Sequence, residues 1–216
     1  MKNIVLIGAS GFVGSALLKE ALHRGNKVTV LVRHPEKIEI KNDNLDVVQA
    51  DATNPSVLAK WAKGKDAVIS AYNPGWTNPN IYKDTIDNYP RIVEGVKQAG
   101  VERLLIVGGA GSLFVKPGLR LMDTGKLPAE IMPGVKGLAE FLFNTLSHEK
   151  EVDWVFLSPA ANIFPGSRTG SFRTDKDNLI VDEKGESNIS VADYAVAMIN
   201  ELEQPAHHRE RFTVGY

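Results

Sequence analysis

Ile4-Val5-Leu6-Ile7-Gly8-Ala9-Ser10-Gly11-Phe12-Val13-Gly14 is the stretch on which the fold turns. A short aliphatic run leads directly into three glycines spaced by three, and Phe12 to His23 continues with helical spacing. That is a strand, a tight turn and a helix in immediate succession. Gly8 permits the turn, Gly11 lets the backbone come close to a ligand, and Gly14 lets the helix pack against the strand. The free N–H groups and the positive dipole end of such a helix face an anion, so Gly8, Ala9, Ser10, Gly11, Phe12, Val13 and Gly14 together are candidates for a pyrophosphate cradle.

Outward from this motif, further apolar runs read as strands: Val28 to Val32, Asp46 to Val48, Ala67 to Ser70, Leu104 to Val107 and Trp154 to Leu157. They are nearly continuous rather than alternating, as strands covered on both faces are. Helical spacing recurs in Pro55 to Trp61, Pro90 to Ala99 and Gly137 to Leu146, with Asn54-Pro55 as an N-cap and first-turn proline. The alternation predicts an α/β chain: a doubly wound, Rossmann-type parallel sheet with helices on both faces, one domain over 1–216 and a small C-terminal substrate lobe. Residues 108–133 and 158–189 are rich in Gly and Pro and follow predicted strands, which places them on the substrate side at the carboxyl edge.

Composition narrows the function. At 216 residues the chain is about 1.4 times a typical domain. Its 25 Lys and Arg balance 26 Asp and Glu, so no positive excess draws it to nucleic acid or to an anionic membrane. No stretch approaches the length of a membrane span. There are no cysteines, which removes disulfides, thiolate chemistry and sulfur-ligated zinc and fits a cytoplasmic setting. His207 and His208 are adjacent and cannot share a helical face as metal ligands, so no metal is expected. Ser190-Val191-Ala192-Asp193 reads as a capping box ahead of an apolar helical run. The oligomeric state stays open, a homo-oligomer included.

The second predicted strand ends Val32-Arg33-His34. A carboxylate there would accept bonds from the ribose 2'-hydroxyl of NAD, whereas Arg33 can grip a 2'-phosphate, which favours NADP while leaving NAD open. A surface arginine at a strand end is the alternative. His34 is the histidine placed nearest such a ligand.

The GxxGxxG spacing resembles the short-chain dehydrogenase/reductase superfamily, chiefly its extended and atypical branches, along the whole chain. The resemblance implies that Asp51-Ala52 lies beside the adenine ring and that Ser70-Ala71-Tyr72 runs under the cofactor ribose. Asp51 reads equally well as a turn residue capping local backbone. Most members use a Tyr with a Lys four residues on, yet Tyr72, Tyr82, Tyr89 and Tyr194 are followed at that distance by Trp76, Ile86, Val93 and Met198. Lys136 falls in the right region, but Met132 stands where its tyrosine would be. Lys136 is carried as a candidate contact beside the simpler reading of a solvated lysine. Gly108-Gly109-Ala110-Gly111-Ser112 puts Ser112 where the superfamily places a catalytic Ser or Thr.

Val115-Lys116-Pro117-Gly118, Ser158-Pro159-Ala160, Arg168-Thr169-Gly170 and the ending Arg211-Phe212-Thr213-Val214-Gly215-Tyr216 resemble a bacterial family described as NADH-flavin reductases, in the branch that includes biliverdin-IX-beta reductase. Asn162-Ile163-Phe164-Pro165-Gly166 resembles a stretch of the epimerases and adds Asn162 to the cofactor candidates. The expected activity is hydride transfer from NADP(H), or NAD(H), to a planar small-molecule acceptor such as a flavin. A nucleotide-sugar epimerase or dehydratase is the first alternative and a non-catalytic NADP-sensing regulator the second. Tyr72, Trp76, Phe114 and Phe164 lie in loops after strands, where they could stack on a planar substrate or pack on their own loops.

Overall fold

The computed structural model describes all residues from Met1 to Tyr216. Twelve strands and five α-helices follow in the order β1 (Asn3–Ile7), α1 (Phe12–His23), β2 (Lys27–Val32), β3 (Leu45–Gln49), α2 (Pro55–Ala62), β4 (Ala67–Ser70), α3 (Ile81–Ala99) and β5 (Arg103–Val107). Then come β6 (Phe114–Lys116), β7 (Leu119–Arg120), α4 (Met132–Glu140), β8 (Asp153–Ser158), β9 (Asn162–Phe164), β10 (Arg173–Asp175), β11 (Asn188–Ser190), α5 (Val191–Glu203) and β12 (Glu210–Gly215). Eight strands form the central sheet in the order β10-β12-β8-β5-β4-β1-β2-β3. Every pair is parallel except β10 with β12.

The continuous apolar runs are explained by burial on two faces. In β1, Ile4 and Leu6 join the core beneath α1 and α5, while Val5 and Ile7 join the one beneath α2, α3 and α4. Asn54 caps α2 as expected, its side-chain oxygen accepting from the backbone N–H groups of Ser56 and Val57.

Three elements depart from the sequence reading. Helix α3 begins nine residues before Pro90, which lies inside it rather than at its start. The buried residues Ile81, Thr85, Tyr89, Ile92, Val93 and Val96 keep one face through the proline, and that burial outweighs the missing N–H. Helix α4 starts at Met132, five residues early, and Phe141–Thr145 widens into a π-helical turn. The expected C-terminal lobe is continuous with the sheet: β12 and β10 extend it, and the β9–β11 pair stands apart as a small separate sheet.

Because β1 pairs with β4 on one side and β2 on the other, the strand order reverses beside β1. The loops after β1, β4, β5 and β8 therefore converge at one carboxyl edge, where such sheets open a crevice.

Candidate functional site

The first loop is shaped by close approach. Gly8 has φ +81, and a Cβ on it would lie 2.3 Å from the Ala71 carbonyl oxygen at the end of β4. A Cβ on Gly14 would lie 2.0 Å from the Gly8 oxygen. Gly11 differs: it is exposed, and the nearest atom to a Cβ there is 3.4 Å away. Its emptiness faces outward, and α1 starts at Phe12 with no side chain capping its first N–H groups. An uncapped helix start behind an open glycine fits a pyrophosphate.

A cavity of about 510 Å³ extends from this loop along the carboxyl edge. Gly11, Phe12, Val13 and Gly14 form one end, and Ala71 and Tyr72 the middle. Gly108 to Ser112, the inner face of α4 and the residues after β8 form the other end. No Asp, Glu, Lys, Arg or His lines it. The hydroxyls on its walls are poor acids. Burial, ahead of the nearby Asp84 and Asp51 carboxylates, pushes the Tyr72 phenol up, although the Asn88 amide bond and the Arg33 charge pull the other way. Burial also raises Tyr89 and Tyr194, whose hydroxyls donate to the Tyr72 and Leu157 carbonyls at 2.7 Å each.

The candidate residues divide. Arg33 is exposed, enters no ion pair, and lies near enough to Tyr72 for its charge to act on that phenol. His34 is exposed beside it, its Nδ1 3.2 Å from Glu36. Asp51 takes the turn role: its Oδ1 accepts from the Thr53 N–H at 2.9 Å and from the Thr53 hydroxyl at 2.7 Å. Ala9, Ala52 and Ser70 are buried, so their side chains support the site from beneath.

Asn162 and Lys136 also stay off the cavity wall, as do Gly8, Ser10, Arg33, His34 and Asp51. Asn162 is exposed on β9 and its amide donates to Asn188 at 2.8 Å, while Ala161 and Ile163 on either side line the cavity. Strand alternation puts Asn162 on the opposite face. Lys136 is exposed on α4, whereas Val135, Leu138 and Ala139 face the cleft. The large 108–133 loop reaches the wall through Gly108 to Ser112, Leu121, Leu127 and Ile131. From 158–189 only Pro159 to Ala161 and Ile163 do so.

Sequence reasoning missed Arg211. It is 6% exposed on β12, donates to the Ser112 Oγ at 2.8 Å and is held from the other side by Asp177 at 2.9 Å. An arginine set 99 residues from its partner leaves no local signal. Asp193 works similarly as a clamp, its buried carboxylate accepting from Thr169, Gly170 and the Tyr216 hydroxyl. Its own N–H donates to the Ser190 Oγ at 3.0 Å, the cap expected from the sequence.

Comparison with known proteins agrees with this geometry. A curated relative, the uncharacterized protein YwnB of Bacillus subtilis, is 41% identical, covering 98% of this chain and 97% of its own. A structure from Bacteroides thetaiotaomicron, provisionally assigned as an epimerase, is 61% identical with a TM-score of 0.95, covering 100% of this chain and 97% of the other. One from Streptococcus pneumoniae, provisionally assigned as an NADH-flavin reductase, is 34% identical with a TM-score of 0.82, covering 100% and 99%. No helix is long and apolar enough to cross a membrane. Residues 8–202, from the first glycine of the cradle to near the end of α5, match the family model described as NAD(P)H-binding, and the chain belongs to that family.

Proposed function

We propose that this protein is an NADP(H)-dependent reductase that passes hydride to a flat acceptor, of which a flavin is the type. The observation that carries the reading is the wall of the cleft, which holds no carboxylate, imidazole, amine or guanidinium. An epimerase or dehydratase needs a group of suitable pKa to give and take a proton beside the nicotinamide. Here the tyrosines are raised by burial, Met132 stands four residues before Lys136, and Lys136 itself is outside the lining. A flavin holds the transferred electrons in its own ring system and asks for no such group.

The chain's residues divide the work of binding. The N–H groups of Phe12 and Val13 would hold the pyrophosphate over the open face of Gly11, Ala71 and Tyr72 would run along the ribose, and Arg33 would take the 2'-phosphate. A nicotinamide held there would supply the hydride, and the apolar wall of the cleft would exclude water. The Streptococcus relative's assignment supports the flavin reading, and the Bacteroides relative's names the rival. The cysteine-free chain accords with a cytoplasmic setting.

The test mixes purified protein with NADPH and, separately, flavins, quinones and nucleotide sugars, following the absorbance of reduced nicotinamide. Oxidation with flavin or quinone and none with sugars is expected. Turnover of a nucleotide sugar would transfer the chain to the epimerases, and tight NADPH binding with no turnover of any acceptor would make it a sensor.

A further inference from the structure

The segment between β4 and α3, Asn73 to Asn80, presents Trp76 with 55% of its surface exposed at the edge of the cleft it lines. This indole is held against α4 rather than left loose. A Cβ added to Gly134 of α4 would lie 2.9 Å from the Trp76 ring carbon Cζ3 and 2.7 Å from Ile81. The indole is thus laid against Gly134, the one of the two α4 glycines that faces it.

The backbone beneath it is fixed by its own asparagines. The Asn73 side chain accepts from the Gly75 N–H at 2.7 Å, that of Asn78 accepts from the Asn80 N–H at 2.9 Å, and the Asn78 amide donates to Asp84 at 2.7 Å. A large ring that is half open yet positioned by its neighbours is a preorganised stacking surface.

The chemistry around it selects against charge. Leu121, Leu127, Ile131, Val135 and Leu138 share this end of the cavity, and no cation lines it. The acids nearest by sequence and helix are Asp84, engaged by Asn78, and Glu140, which accepts from the Tyr82 hydroxyl at 2.6 Å. A phosphate or sulfonate entering here would lose water and gain no counter-charge.

We infer that the mouth of the cleft between Trp76 and α4 is an acceptor subsite that takes an uncharged, flat ring system stacked on the Trp76 indole. The inference rests on the reductase reading for the direction of entry, and it goes further in naming the platform and the charge of the acceptor.

The experiment is calorimetric binding to the protein saturated with NADP⁺, using two matched pairs: riboflavin against FMN, and 2-methyl-1,4-naphthoquinone against its sulfonated analogue. Wild type, Trp76→Ala and Trp76→Phe are compared, with thermal melting as the folding control. In at least one pair the uncharged member should bind about ten-fold or more tighter than the charged one. Trp76→Ala should weaken it by about ten-fold, and Trp76→Phe by about two-fold, since a smaller ring still stacks. The melting temperature and NADP⁺ affinity should not change. Equal or tighter binding of the charged members, an unaffected Trp76→Ala, or no binding by either pair would overturn the subsite. Binding with the expected pattern but no oxidation of NADPH would keep the subsite and remove the reductase reading. Turnover of FMN in preference to riboflavin would do the reverse.

Discussion

The two ends of the cleft are made of different materials. At the α1 end the shape is set by backbone: Gly8 against Ala71, Gly14 against Gly8, and the Gly11 N–H donating to the Gly8 carbonyl at 3.0 Å. At the α4 end the walls are side chains on long loops, tied down by ions far away in sequence, with Asp177 holding Arg211 on Ser112. Backbone geometry leaves little room for variation and recognises what every dinucleotide shares. Side-chain walls can be rebuilt without disturbing the sheet, so that end can differ in acceptor among proteins that share the cradle.

The largest effect should come from setting two glycines of the cradle against each other. Gly11→Val adds bulk where nothing in the protein is crowded, so the domain should melt near the wild-type temperature while NADPH binding falls by about 100-fold or more. Gly14→Ala places its Cβ against the Gly8 oxygen and should cost about 1–3 kcal/mol of stability. Calorimetry and thermal melts separate the two. A folded Gly11→Val protein with unchanged NADPH affinity would remove the cradle assignment.

Arg33→Ala probes the only charged recognition proposed at that end. A charged hydrogen bond contributes about 1.5–3 kcal/mol, so NADPH should lose about ten-fold or more in affinity and NADH far less. Equal losses for the two nucleotides would reduce Arg33 to a packing role.

The same division explains what was legible in the sequence. The runs forming β1, β2, β4, β5 and β8 are apolar on both faces, and the glycine spacing fixes a local backbone path, so strand, turn and helix can be read without knowing their neighbours. Pro90 misled because a proline is read locally, whereas α3 is held through it by Tyr89, Ile92 and Val93 against the sheet. Arg211 and Ser112 lie on elements that become neighbours only when β12 inserts beside β8. Asn162 and Lys136 were drawn in by motif resemblance, and the register of β9 and the face of α4 decide against them at the wall. Asp51 satisfied its turn reading, a local bond that any chain with Asp51-Ala52-Thr53 could make.

Acid should act away from the cleft, at the Thr169–Gly170 turn that Asp193 of α5 ties down. Burial pushes the Asp193 carboxyl up, but bonds from Thr169, Tyr216 and Gly170 together outweigh it and hold it below the ordinary 3.8. A carboxyl with a depressed folded value adds stability that is complete above the unfolded value and is lost as pH falls below it. Wild type should therefore lose stability below about pH 4, while Asp193→Asn should start about 1–3 kcal/mol lower at pH 7 and show a shallower acid slope. Urea unfolding at pH 7 and pH 3 measures both. Parallel slopes for the two proteins would show that Asp193 is not the acid-sensitive clamp.

The smallest effect is expected at Ser112, and it bears directly on the chemistry. Its Oγ already accepts a hydrogen bond from buried Arg211, which leaves the hydroxyl proton to orient an acceptor but gives it no base through which to act as an essential acid. With a flavin as acceptor the developing charge spreads over the ring, so the hydroxyl adds one hydrogen bond, worth about 0.5–1.5 kcal/mol. Ser112→Ala should then reduce the rate of flavin reduction by less than about ten-fold and leave NADPH affinity unchanged. Arg211 remains paired with Asp177 in that variant, so the fold should hold. Complete loss of flavin reduction in a folded Ser112→Ala protein would mean that the α4 end carries a serine-centred acid, and the contrast between a recognising end and a merely shaping end would fail.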